Sequence, residues 1–275
     1  MLFGVIGGDR RQAELLKLLR QDGYQAAAYG TAGEMDWERA VSAEVVVLPL
    51  PLCREGDTIN IEGEQRGIGA LLRQMRRNQL LLAGQVKPAQ AAEAAELDLN
   101  LIDYFKREEL TVANAAATAE GTVQVILERL ERSLLGSRCL VLGFGRIGKL
   151  LCHRLSAMGA NVTAARRPES LAWAVAYGYD ACSIDRLDGA LSEFDVVVNT
   201  VPAPIFGGNA LKQLKPGCLC VDVASIRGID ASAAEALGLT IVWARALPGK
   251  LMPCTAGRII RDTVFEILKE QGVIL

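Results

Sequence analysis

Two successive sets of short, uninterrupted apolar runs, separated by helical patterns, constrain the fold of this 275-residue chain more than any other feature. The first set lies at residues 2–6, 26–29, 45–48, 79–82 and 99–104, and the second at 139–142, 162–165, 196–200, 219–223 and 240–244. An alternating strand has one wet face, whereas a continuously apolar strand is buried on both, as in a parallel sheet covered by helices. Strands interleaved with helices imply right-handed βαβ units. Each half therefore reads as an open sheet. The predicted fold class is α/β, with two doubly wound parallel-sheet (Rossmann-like) domains and an interdomain cleft at their carboxyl edges, where open sheets bind ligands.

The boundary is placed between the two sets. Thr118, two residues before Glu120, suits a helix start, where a hydroxyl caps free N–H groups and the helix dipole favours an acid. The spacing predicts a linking helix over 118–132, ended near Gly136, with domains of residues 1–117 and 118–275. A last amphipathic helix is expected over 257–269, with Ile259, Ile260, Val264, Ile267 and Leu268 as its apolar face, packing back against the first domain.

Composition removes several function classes. A net charge of −2, from 30 basic and 32 acidic residues, leaves no polybasic footprint for nucleic acid or an anionic membrane. No apolar stretch is long enough to span a bilayer, and a soluble, cytoplasmic protein is expected. The single histidine, His153, disfavours Ser-His-Asp chemistry and multi-histidine metal sites. Seven cysteines without a Cys-x-x-Cys pair read as a reduced chain with no disulfide framework, and no metal site is expected.

The chemistry concentrates at strand ends. Gly143-Phe144-Gly145-Arg146-Ile147-Gly148 falls between a buried strand and a helix, as a dinucleotide fingerprint must. Gly143 permits the tight turn, Gly145 lets a pyrophosphate approach the backbone, and Gly148 lets the helix pack on the strand. The next strand ends in Arg166-Arg167, where an NAD site usually carries an acid. Two guanidiniums there suit a 2′-phosphate, which points to NADP over NAD. Thr200-Val201-Pro202 and Ser225 end later strands and are expected to line the nicotinamide; Arg227 is a candidate for a substrate carboxylate. In the first half, Gly8, Asp9 and Arg10 form a strand-end pocket with backbone donors, in competition with a helix-cap role for Asp9. Thr255 and Gly257 open the last helix, whose N–H groups are candidates for another carboxylate.

These motifs, together with Gly7-Gly8-Asp9-Arg10, Leu48-Pro49-Leu50-Pro51, Thr118-Ala119-Glu120-Gly121, Leu247-Pro248-Gly249 and Thr255-Ala256-Gly257, resemble the A-subunit family of dipicolinate synthases from spore-forming bacteria. The resemblance runs over essentially the whole chain. It implies a substrate-side N-terminal domain followed by an NADP-binding domain, and a role in dipicolinic acid biosynthesis during sporulation. The implied reaction is oxidation of a small cyclic dicarboxylate, a dihydrodipicolinate-type intermediate, to dipicolinate. It also implies the flavoprotein-like B-subunit of dipicolinate synthase as partner; a homo-oligomer is left open. Ala117, Cys254 and the Ile226-Arg227-Gly228 turn depart from the family pattern. Glu120 or Asp9 is the candidate general base, and Thr118 joins Gly8, Arg10, Arg227, Thr255 and Gly257 as a substrate-binding candidate. The alternatives are another NADP-dependent amino- or oxo-acid dehydrogenase, or a non-catalytic NADP(H)-binding protein.

Overall fold

The computed structural model describes residues 1–54, 56–185, 187 and 191–274. Its strands are β1 (Leu2–Ile6), β2 (Gln25–Thr31), β3 (Glu34–Met35), β4 (Val45–Val47), β5 (Leu80–Ala83), β6 (Asn100–Asp103), β7 (Arg138–Leu142), β8 (Asn161–Arg166), β9 (Asp180–Ser183), β10 (Val196–Asn199), β11 (Leu219–Asp222) and β12 (Thr240–Trp243). Its helices are α1 (Arg10–Gln21), α2 (Trp37–Val41), α3 (Ile68–Leu72), α4 (Pro88–Glu96), α5 (Glu108–Arg129), α6 (Arg146–Ala157), α7 (Leu171–Ala176), α8 (Gly208–Leu211), α9 (Ala231–Ala236), α10 (Leu247–Leu251) and α11 (Pro253–Glu270). The chain divides into two compact units, Met1–Asn114 with Pro248–Leu275, and Ala115–Leu247.

The first unit holds the sheet β3-β2-β1-β4-β5-β6, parallel except for the short edge strand β3. Successive residues of its strands bury on opposite faces. Ile6, Val46, Leu48 and Leu81 pack with α3 through Ile68, Leu71 and Leu72. Phe3, Val5, Val45 and Val47 pack with α1 and α11 through Leu15, Leu19, Ile260, Val264 and Ile267. The second unit holds the sheet β12-β11-β10-β7-β8-β9, its strand pairs all parallel. One face buries Val141, Val196 and Val198 with Leu151 and Leu155 of α6; the other buries Leu140, Leu142 and Val197 with Phe206 and Leu211. Both sheets are Rossmann-like, and strand order reverses between β1 and β4 in one and between β7 and β10 in the other. The helices of the described residues include none long and apolar enough to cross a membrane.

Three sequence expectations need correction. The edge strands β3 and β9 lie outside the apolar runs: β3 is two residues of Glu-Met, and β9 is Asp-Ala-Cys-Ser with no fully buried position. Thr118 does not start a helix. It lies inside the continuous α5, buried, and its carbonyl accepts the Thr122 hydroxyl at 2.7 Å, so the chain crosses between units within a helix. Finally, the range 118–275 differs from the compact unit at its C-terminal end, because α11 closes the first unit's core.

Gly257 explains how closely α11 approaches α1. A Cβ there would lie 2.7 Å from Glu14 Cβ and 2.9 Å from the Arg11 carbonyl. Its small size serves helix packing, so no ligand role is needed to account for it. Gly257→Ala is expected to destabilise the chain by about 2 kcal/mol through overpacking, measured by urea unfolding.

Candidate functional site

The second unit brings a dinucleotide cradle together at its switch point. Gly143 follows β7 at φ +95°, and a Cβ on it would meet the Thr200 Oγ1 at 2.5 Å and Val201 Cγ2 at 2.8 Å. Thr200 locks this contact, since its hydroxyl and backbone N–H both donate to the Leu142 carbonyl at 2.9 Å. Gly148 is equally constrained: a Cβ would come within 2.2 Å of the Gly143 carbonyl oxygen. Gly145 is different. It is exposed, a Cβ on it would meet nothing within 4 Å, and it precedes α6 without offering a side-chain cap. The first turn of this twelve-residue helix thus opens beside a cleared backbone surface, which fits a pyrophosphate at a helix N-terminus. Phe144 turns its ring inward, buried against Tyr177 and Tyr179, so it anchors the loop from below. Arg166 Nη1 donates to the Phe144 carbonyl at 3.3 Å, which holds that guanidinium over the loop. Arg167 is exposed and pairs with Glu169 at 3.4 Å.

Sequence reasoning missed the pair that shapes the neighbouring loops. Asn199 and Asp222 end β10 and β11 and are buried. The Asp222 carboxylate accepts the N–H groups of Ala224 (3.0 Å), Gly228 (2.7 Å) and Ile229 (3.0 Å) and the Asn199 amide (3.0 Å). Asn199 in turn accepts the Val201 N–H and donates to the Val201 carbonyl, both at 3.0 Å. These bonds fix the loop of Thr200, Val201 and exposed Pro202, and the loop carrying Ser225 and Arg227. A polar residue closing an otherwise apolar strand was the available signal. Arg227 stacks on Trp243, 4.3 Å from the ring centroid, and Trp243 Nε1 donates to the Ala224 carbonyl at 3.2 Å.

In the first unit, the loop after β1 carries Gly8, Asp9 and Arg10. The expected free donors are already taken: Gly7 N–H donates to the Tyr29 carbonyl (2.7 Å) and Gly8 N–H to the Asn60 carbonyl (2.6 Å). Both glycines sit at positive φ, and these bonds hold them there. Asp9 caps α1 and pairs with buried Arg11 through bonds of 2.9 and 2.8 Å. Burial pushes the Asp9 carboxyl up, but the hydrogen bonds and charge of Arg11 outweigh it and hold it below the usual aspartate range. That makes Asp9 a weak proton acceptor. Arg10 is exposed, its Nη1 3.4 Å from the Lys250 carbonyl. Thr255 lies exposed in the first turn of α11, which has no side-chain cap.

Glu120 is not brought to the cradle. It pairs with Arg154 at 2.8 Å. Arg154 follows Arg146 by eight positions on α6, about 12 Å along the helix axis from the glycine loop. The geometry gives Glu120 a helix–helix ion pair. His153 lies on the exposed side of the same helix.

The fold and cradle define a class: a dehydrogenase-type protein whose second unit is built for a nicotinamide dinucleotide. Residues 93–236 match the model for the D-isomer specific 2-hydroxyacid dehydrogenase, NAD binding domain, and residues 2–105 match that for the dipicolinate synthase A-subunit N-terminal domain. Over the whole chain, the A-subunit of dipicolinate synthase from Bacillus subtilis is 27% identical, covering 98% of this chain and 96% of the relative. A crystal structure of the Bacillus subtilis A-subunit superposes with a TM-score of 0.83 at 25% identity, covering 98% and 96% of the two chains. The Bacillus halodurans A-subunit gives a TM-score of 0.83 at 24% identity, with 97% of each chain covered. The chain belongs to the dipicolinate synthase A-subunit family, with a 2-hydroxyacid dehydrogenase-type NAD binding domain.

Proposed function

We propose that this chain is the dehydrogenase component of a dipicolinate synthase, oxidising a dihydrodipicolinate-type cyclic diacid to dipicolinate with NADP+, in concert with a flavoprotein-like B-subunit in the cytoplasm of a spore-forming cell. One observation carries the reading. The relationship extends over both units, and the first unit matches a model specific to the dipicolinate synthase A-subunit. The lone histidine agrees with it: exposed on α6, His153 offers no acid/base group at the strand ends, which oxidation of a hydroxy acid would call for.

In the proposed reaction, a hydride leaves one saturated ring carbon for the nicotinamide and a proton leaves the other. The cation left by hydride loss is acidic, because losing that proton completes the aromatic ring, so water suffices as its acceptor. The chain is then asked chiefly to position the diacid. The first turn of α6 at Gly145 would hold the pyrophosphate, with Gly143 and Gly148 shaping the loop beneath it, and Thr200, Val201, Pro202 and Ser225 would flank the nicotinamide side. Arg166 and Arg167 take the 2′-phosphate. Arg227 takes one substrate carboxylate.

Two measurements test this. Mixing the A- and B-subunits with the cyclic diacid and NADP+ is expected to produce the ultraviolet absorbance of dipicolinate. Tight NADPH binding without that product, with or without the partner, would leave a dinucleotide-binding protein with no turnover of its own. Separately, the Arg166→Ala, Arg167→Ala double variant is expected to weaken NADPH binding about 100-fold while leaving NADH binding unchanged. Equal loss for both would remove the 2′-phosphate assignment.

A further inference from the structure

We propose that Arg245, which stacks with Arg227 on Trp243, completes a two-guanidinium clamp for the carboxylates of the substrate. The inference rests on the reading above that the substrate is a diacid. Arg245 lies 4.6 Å from the Trp243 ring centroid and Arg227 4.3 Å, so one indole holds both cations. Among the described residues neither guanidinium has a carboxylate within ion-pair distance. Two cations on one ring with no carboxylate beside them repel each other, and carboxylates bound at their free N–H groups would relieve that repulsion. The aromatic stack holds the planar donor forks without consuming their N–H groups, which leaves them for a bidentate carboxylate.

Both arginines stand on built supports. The Arg227 loop is tied by Asp222 through the N–H groups on either side of it. Arg245 directly precedes Ala246, a non-glycine residue held at φ +55°, a conformation that costs free energy and concentrates at functional sites. Sheet order separates this clamp from the other arginine pair. Arg166 ends β8, while Arg227 and Arg245 follow β11 and β12, three and four strands away. At roughly 4.8 Å per strand that is about 14 to 19 Å, which separates the substrate pair from the pair assigned to the dinucleotide.

The test is calorimetric titration of the full chain, saturated with NADP+, using dipicolinate and succinate as dicarboxylate probes. Arg245→Gln is expected to raise the Kd for dipicolinate about tenfold and to leave NADPH affinity unchanged, which also reports that the variant is folded. Trp243→Leu, which frees both guanidiniums, is expected to weaken dipicolinate binding to a similar degree. Wild-type affinity for both dicarboxylates in Arg245→Gln would overturn the clamp, as would a wild-type chain that binds NADP+ and neither dicarboxylate. Succinate binding that depends on Arg245, without dipicolinate binding, would uphold the clamp and sink the cyclic-diacid reading.

Discussion

Replacing Asp222 by alanine is expected to lower the unfolding free energy by about 4 kcal/mol, the largest single-residue effect in the second unit. The carboxylate is buried and accepts three backbone N–H groups and one side-chain amide. Alanine leaves those donors without their acceptor. A buried donor without a partner costs about 1–3 kcal/mol, and the set cannot all rotate toward water. Asparagine keeps the shape but presents an NH2 where two of the bonds need an acceptor, so about half the loss is expected to remain. Gly228 cannot move to compensate: even a Cβ there would lie 2.3 Å from Asn199 Nδ2. Urea unfolding of the three proteins is the measurement. A loss under about 1 kcal/mol for the alanine variant would show that the loops hold themselves.

Two glycines of the same loop are expected to fail in opposite ways. Gly145→Val should fold normally and bind NADPH about 100-fold more weakly, because its φ of −81° suits any residue and its side chain would point into the open surface over the helix N-terminus. Gly148→Ala should instead unfold more easily, since its Cβ would strike the Gly143 carbonyl, which is backbone and cannot rotate aside. Thermal unfolding with and without NADPH separates the two. Normal NADPH affinity in Gly145→Val would detach the dinucleotide from this loop.

Most of the architecture was legible because parallel strands are read by an unusually plain signal, continuous apolarity on both faces. The runs at 2–6, 45–48 and 139–142 lie on β1, β4 and β7. Where the signal weakens, the reading failed: β3 and β9 are polar edge strands held by backbone pairing to β2 and β8, which residue type does not record. Thr118 and Glu120 misled for a related reason. A hydroxyl before an acid suits a helix start, yet the same residues sit comfortably inside α5, the carbonyl of one accepting the Thr122 hydroxyl and the other paired with Arg154.

The glycine fingerprint and the arginines at the end of β8 were legible in sequence alone, because they are local: a turn, a helix start and a strand end within about 25 residues. The distribution of the remaining polar groups was decided only by tertiary structure. Asp9 became a cap for α1 because folding buried Arg11 beside it, and the Gly8 donor was taken by a carbonyl from a distant loop, at Asn60. Asn199, Asp222, Trp243 and Arg245 come from three different strand ends, and only sheet order sets them side by side. Partnership across the sheet depends on which strands neighbour which, and that is a property of the folded chain.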